Sequence, residues 1–382
     1  MKKNILITSA RSPATLDLAR QLSANGHHVF VADTTKWHIC ATSKSVEKNF
    51  VVPSPRFDPV GFVDRLIQIA ETEKLDLIIP TCEEILPLSK HLDYFPKKCR
   101  VFASPFNLLH TLHSKWLFTK ELTRLGFDSP ETHLITSEKQ LDSIPFEENY
   151  VMKPCYSRAS QKIQKVYTPN KPKTIVIEPH NPWVAQKWIY GDKFCTYSVC
   201  VDGKVQAHST YPVTYAIDKS SCLTFESIEH PAIFEWVSRF VKEVNFTGQI
   251  AFDFVETSEG KLFAIECNPR ATHGLLLFTP EDRLDNAFLK SNVSTIFSQS
   301  TTRKQIVMGM LMYGWKNIPA GSGLKEFFSK LFSFPDVVYQ YKDWRPLMMI
   351  PTLFVRYFWI SRKLGIKIPA AFTYDIDWNG EQ

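Results

Sequence analysis

The feature that most constrains this chain is IAFDFVETSEGKLFAIECNPR, residues 250–270. Two apolar stretches flank a short polar turn, Thr257-Ser258-Glu259-Gly260, which is the pattern of a β-hairpin. Set into these strands are polar residues for which a plain core hairpin has no use. Side chains alternate along a strand, so Glu266 and Asn268 share a face. Antiparallel pairing across the turn brings Asp253 opposite, or diagonal to, Glu266 on that same face. Two carboxylates so placed repel each other unless a cation lies between them. An all-oxygen set suits a hard divalent ion such as Mg2+ (or Mn2+), which keeps several waters and shares phosphate oxygens. Arg270 follows directly and could hold an anion beside that ion.

Three pieces precede the hairpin. Tyr150-Val151-Met152-Lys153-Pro154 reads as a short strand whose end carries an ammonium, Lys153. The polar loop beyond it includes Ser157, Arg158 and Ser160, and an ammonium beside such a loop is a common phosphate contact. Lys115 lies in a helix over 114–125, closed by Gly126, with Lys120 further along it. Residues 182–194, PWVAQKWIYGDKF, form a strand that places an aromatic and a charged residue before a glycine turn. Taken singly, each piece is an ordinary surface lysine or edge strand.

The N-terminal part has another rhythm. Residues 4–8, 28–33, 75–80 and 101–104 are compact apolar runs that suit buried parallel strands. Helical patterns lie between them, one carrying Leu16, Leu18, Ala19 and Leu22 and ending at Asn25-Gly26, another spanning 60–74. This alternation predicts an open parallel sheet with crossover helices. The first turn, TSARSPATLDL, contains no glycine. The dinucleotide fingerprint is therefore absent, which argues against a nucleotide-dependent oxidoreductase.

In this order and spacing the pieces resemble the ATP-grasp superfamily, over roughly residues 1–295. The resemblance implies an α/β fold, α+β overall. An N-terminal open parallel sheet domain (1–106) would precede an ATP-grasp fold of two α+β subdomains (107–295, the lid about 150–190) and an aromatic-rich C-terminal extension (296–382). It implies ATP held between the two subdomains, with Lys115 and Lys153 on the phosphates. Ser157 and Ser160 would supply side-chain donors where many family members place glycines. Lys187 would face the adenine ring, and the Trp188–Ile189 backbone would bond its edge. Lys193 stands where a ribose-binding glutamate is usual, so Asp192 is the candidate for that bond. Asp253, Glu266 and Asn268 would ligate magnesium, and Arg270 would stabilise the transferring phosphoryl group and the tetrahedral intermediate. The nearest branch is the carbamoyl-phosphate-synthase-like group of stand-alone carboxylate–amine ligases. Its members activate a small-molecule carboxylate as an acyl phosphate and join it to an amine, releasing ADP and phosphate. The alternative is a degenerate ATP-grasp protein that binds nucleotide as a sensor or scaffold.

The carboxylate and amine are expected where the strand ends of the N-terminal sheet face the metal hairpin. Arg11, Glu83, the neighbouring Glu84 and His273 are the candidates. The net charge of +6, from 45 basic and 39 acidic residues in 382, is scattered and fits a small anion rather than a nucleic-acid track. None of the eight cysteines sits in a CxxC pair, which points to reduced, buried thiols and a cytoplasmic protein. The longest apolar stretch, between Arg345 and Arg356, is about half the roughly 20 residues a spanning helix needs, so no stable membrane insertion is expected. Residues 351–367 mix apolar and basic side chains; a packed helix or homodimer contact is favoured over an interfacial amphipathic helix.

Overall fold

The computed structural model describes residues 2–144, 148–157, 162–167, 175–217, 221–291, 293–318 and 323–381. Its N-terminal unit is a parallel sheet of β1 (Asn4–Thr8), β2 (His28–Asp33), β3 (Lys48–Val51), β4 (Leu77–Ile79) and β5 (Arg100–Val101), in the order β3-β2-β1-β4-β5. Ile5, Leu6 and Ile7 are fully buried, as a strand covered on both faces requires. The helices Pro13–Ala24 and Pro59–Thr72 start with a proline, which suits a first helical turn. Ser12 and Asp58 cap them through their side chains. Strand order reverses between β1 and β4, and the crevice beyond their C-terminal ends is the usual ligand position of such sheets.

The next unit is a small antiparallel sheet of β6 (Thr132–Ile135), β7 (Tyr150–Pro154), β8 (Gln164–Val166) and β9 (Trp183–Lys187), ordered β6-β9-β7-β8. The lid expected at about 150–190 thus also recruits residues 132–135. A larger antiparallel sheet follows. β10 (Asp192–Val201) and β11 (Lys204–Pro212) join at Asp202-Gly203, whose φ values of +48° and +72° are those of a type I′ turn. The strand Gly248–Glu256 pairs with β10 on one side and with Leu262–Asn268 on the other. The helix Pro231–Glu243 lays Ile233, Val237, Phe240 and Val241 on this sheet, and Phe118 and Leu122 of the helix Lys115–Arg124 join the same core. Shared packing therefore fixes Lys115 relative to the Gly248–Asn268 hairpin.

The C-terminal part is not a free-standing extension. Arg303–Gln305 pairs with Thr224–Glu226, and the helix Arg345–Leu364 buries Leu353 and Tyr357 against Ala10, Leu16 and Val31 of the N-terminal unit. Residues 372–381 then return as a strap between that unit and the lid. Among the described residues no helix is long and apolar enough to cross a membrane.

Candidate nucleotide and metal site

The hairpin folds with Asp253 directly opposite Glu266, and Asn268 opposite Ala251, so the three polar side chains share one face. The register then slips: Phe254 pairs with Ala264, leaving Ile265 as an extra residue. The Ile265 carbonyl accepts from Lys153 Nζ at 3.3 Å, which ties the end of β7 to the hairpin. Lys115 Nζ lies 3.4 Å from Glu266 Oε1 and donates to the Ser157 carbonyl at 3.2 Å. Both lysines are buried, as is Arg270.

These charges act on one another. Burial drives the Asp253 carboxyl up to about 6, and the Glu266 charge pushes the same way against a Cys195 bond and the Lys153 charge. Burial also pushes Glu266 up, but Lys115 and Lys153 outweigh it and hold that carboxyl below its usual value. Burial lowers the Lys153 ammonium to about 8, with Glu266 opposing. One carboxylate of the pair is thus satisfied by lysines and the other is electrostatically frustrated. That donor chemistry fits a divalent cation at Asp253 and Glu266. Asn268 Oδ1 accepts from Arg270 at 2.9 Å, so its amide oxygen is turned toward the guanidinium.

Asp253, Glu266 and Lys153 line a 410 Å3 cavity together with Lys187, Trp188 and Ile189. The Trp188 N–H donates to the Asn149 carbonyl at 2.8 Å, so an adenine edge would be left the Trp188 carbonyl and the Ile189 N–H. Lys187 pairs with Glu148 at 2.7 Å. Ile163, Lys165, Lys193 and Phe194 also line the cavity.

An ATP-grasp domain model matches residues 112–274. Residues 112–274 form an ATP-grasp domain. The arginine-specific large chain of carbamoyl phosphate synthase from Arabidopsis thaliana is 22% identical over 246 residues, which cover 56% of this chain and 21% of that one. The chain therefore spans about a fifth of the length of this curated relative. Among solved structures, L-amino acid ligase from Bacillus licheniformis aligns with a TM-score of 0.55 at 15% identity, covering 72% of this chain and 68% of the other. N5-carboxyaminoimidazole synthetase from Staphylococcus aureus, complexed with ADP, aligns with a TM-score of 0.62 at 13% identity, covering 79% and 82%. At these identities the likeness establishes the fold.

Within the ATP-grasp domain, Lys115, Lys153, Asp253, Glu266, Asn268 and Arg270 converge. Ser157 lies beside them, its hydroxyl donating to the Pro154 carbonyl at 3.4 Å; Ser160 and Arg158 lie outside the described residues. Asp192 is exposed, whereas its neighbour Lys193 lines the cavity. Arg11, expected among the substrate residues, is engaged within the protein. Its guanidinium is buried and bound to Asp33 and Asp375 at 2.6 Å each and to the Phe372 carbonyl, so it anchors the strap. Glu84 turns inward to accept from Thr8 and from the Thr81 and Cys82 N–H groups. Glu83 faces the domain: Oε1 is 3.6 Å from Arg270 Nε, and Oε2 accepts from the Trp378 N–H. His273 packs on the Phe225 ring with centroids 5.3 Å apart.

Sequence reasoning missed His113 and Trp378. The His113 imidazole is buried, pushed down to about 4 by burial, and feels the charges of Glu83, Lys115, Arg270 and Glu266. Trp378 sits among Tyr156, His110, His113 and Phe106. Their positions at a helix end and in a chain tail carry no pattern that ties them to the hairpin.

Proposed function

We propose that the protein is an ATP- and magnesium-dependent ligase that activates a small-molecule carboxylate as an acyl phosphate and joins it to an amine. The observation that carries this reading is the facing pair Asp253 and Glu266 beside Lys115, Lys153 and Arg270, in a cavity that Trp188 and Ile189 also line. L-amino acid ligase and N5-carboxyaminoimidazole synthetase, whose folds this chain shares, are named as ligase and synthetase.

Lys153 and Lys115 offset the negative charge of the nucleotide phosphates. Arg270, with a planar fork of donors, stabilises the phosphoryl oxygens in flight and then the oxyanion formed when the amine attacks. Asp253 and Glu266 would hold the divalent ion, and Asn268, whose Oδ1 now accepts from Arg270, would be the third oxygen ligand. When bound, that ion supplies charge neutralisation at the phosphates. Glu83, beside Arg270 and at the sheet's crevice, is the group placed to receive a cationic amine.

The test follows oxygen. Substrate carboxylate labelled with 18O should pass one label into inorganic phosphate, with ADP as co-product. Release of AMP and pyrophosphate would mean adenylation and would end the acyl-phosphate reading. Glu266→Gln should abolish Mg2+-dependent turnover while circular dichroism stays unchanged.

A further inference from the structure

The helix Arg345–Leu364 has one face buried on the N-terminal unit and an opposite face that nothing covers among the described residues. At 3.6 residues per turn, Leu353 and Tyr357 lie on the buried side, and Met348, Pro351, Val355, Phe358 and Trp359 on the other. Met348, Val355 and Trp359 are 63%, 54% and 66% exposed, values that an ordinary solvated helix avoids with polar residues. Arg345, Arg356 and Lys363 recur after about three and then two turns, so they line one flank of this apolar stripe.

Charge decides what the face fits. Between Val338 and Tyr374 the only acid is Asp343, and it is buried, bonded to Arg20 and Ser43. Lys342, Arg345, Arg356, Arg362 and Lys363 are all exposed. At the head of the helix Tyr339, Tyr341, Trp344, Lys44 and Lys342 line an open groove, so rings and ammonium groups alternate there too. A second copy of this chain is a poor occupant. A twofold interface sets a patch against itself, so five cations would meet five cations without an acid between them. Aromatic side chains beside lysines and arginines on a half-exposed helix are instead what the headgroup region of an anionic bilayer accepts.

We infer that the outer face of this helix and the adjoining Tyr339–Trp344 groove form a peripheral membrane-binding surface for anionic lipid. The helix lies in the headgroup plane with Val355, Phe358 and Trp359 inserted and the flanking cations on lipid phosphates. It does not span the bilayer. The inference is independent of the proposed ligase chemistry, since none of these residues lines the nucleotide cavity.

The experiment is co-sedimentation of the full chain with vesicles of phosphatidylcholine containing about one-quarter phosphatidylglycerol, against phosphatidylcholine alone. Binding to the anionic vesicles, weakened by added salt, is expected. Arg356→Gln and Lys363→Gln should each weaken it about fivefold, the usual effect of one basic residue near such a surface. Val355→Glu with Trp359→Glu should abolish it while circular dichroism and thermal unfolding stay unchanged, because both positions are exposed. No binding to anionic vesicles would overturn the inference. So would equal binding by the double glutamate variant, or a concentration-dependent dimer in sedimentation velocity that this variant dissolves.

Discussion

Lys153 and Lys187 show how neighbours decide what a lysine does. Lys153 is buried, faces Asp253 and Glu266, and holds the Ile265 carbonyl; Lys187 is a third exposed and neutralised by Glu148. A phosphate group beside Lys153 would gain a charge-assisted bond, while Lys187 is already paired in solvent. Lys153→Met should therefore weaken binding of a non-hydrolysable ATP analogue by about 1–3 kcal/mol in calorimetry, and Lys187→Met by less than about 1 kcal/mol. Equal losses would remove Lys153 from the phosphate contacts. Arg270 differs from both, because its guanidinium spans Asn268, the Ala271 carbonyl and the approach to Glu83. An ammonium cannot reproduce that fork. Arg270→Lys should keep analogue affinity yet lose kcat, the signature of a contact made mainly in the transition state. An unchanged kcat would remove Arg270 from the chemistry.

Among the elements, the β10–β11 hairpin carries an internal acid sensitivity. His208 is buried on β11, with its ring nitrogens against the Ser198 and Thr210 hydroxyls. Burial pushes its imidazole down to about 3. The unfolded chain takes that proton near 6.5. The unfolded state thus binds more protons in between, so stability is complete above about 6.5 and declines as pH falls toward 3. His113 adds to the same decline down to about 4. Denaturation midpoints at neutral and mildly acidic pH should differ less in His208→Gln than in the parent chain; an identical slope would acquit this histidine. These strands are marked locally, by apolar residues and by the Asp202-Gly203 turn between them. The sequence also announced Asp253 opposite Glu266, since register follows from a short turn. It hid β3, whose Lys48-Asn49-Phe50-Val51 is an edge with little apolar surface, and the bulge at Ile265, which no residue type marks. The partners of Arg11 were hidden for a related reason. Its place after β1 is a ligand position in such sheets, but its partner Asp375 arrives from the far end of the chain.

That long-range partnership operates at the scale of the whole molecule. The strap over residues 372–381 is held at two ends. One end is the N-terminal unit, where Asp375 meets Arg11, its carbonyl accepts from Ser54, and Arg56 donates to the Tyr374 carbonyl. The other is the ATP-grasp domain, where Trp378 packs edge-on to Tyr156 with centroids 4.9 Å apart, and Gly380 passes so close that a Cβ would lie 2.4 Å from the His180 carbonyl. Glu83 joins the two by accepting the Trp378 N–H. Asp375→Ala leaves buried Arg11 with Asp33 as its one carboxylate partner, a loss of about 1–3 kcal/mol, and Trp378→Ala opens an aromatic cluster around a partly buried ring at a cost of up to about 3 kcal/mol. If the strap acts as one staple, either substitution releases most of it, and the double variant should lose less than the sum of the two in chemical denaturation. Hydrogen exchange should then rise together at residues 374–381 and around Tyr156 in each single variant. Strict additivity, with protection lost only at the mutated end, would mean that the two ends are separate contacts and that the N-terminal unit and the ATP-grasp domain are coupled by their direct interface instead.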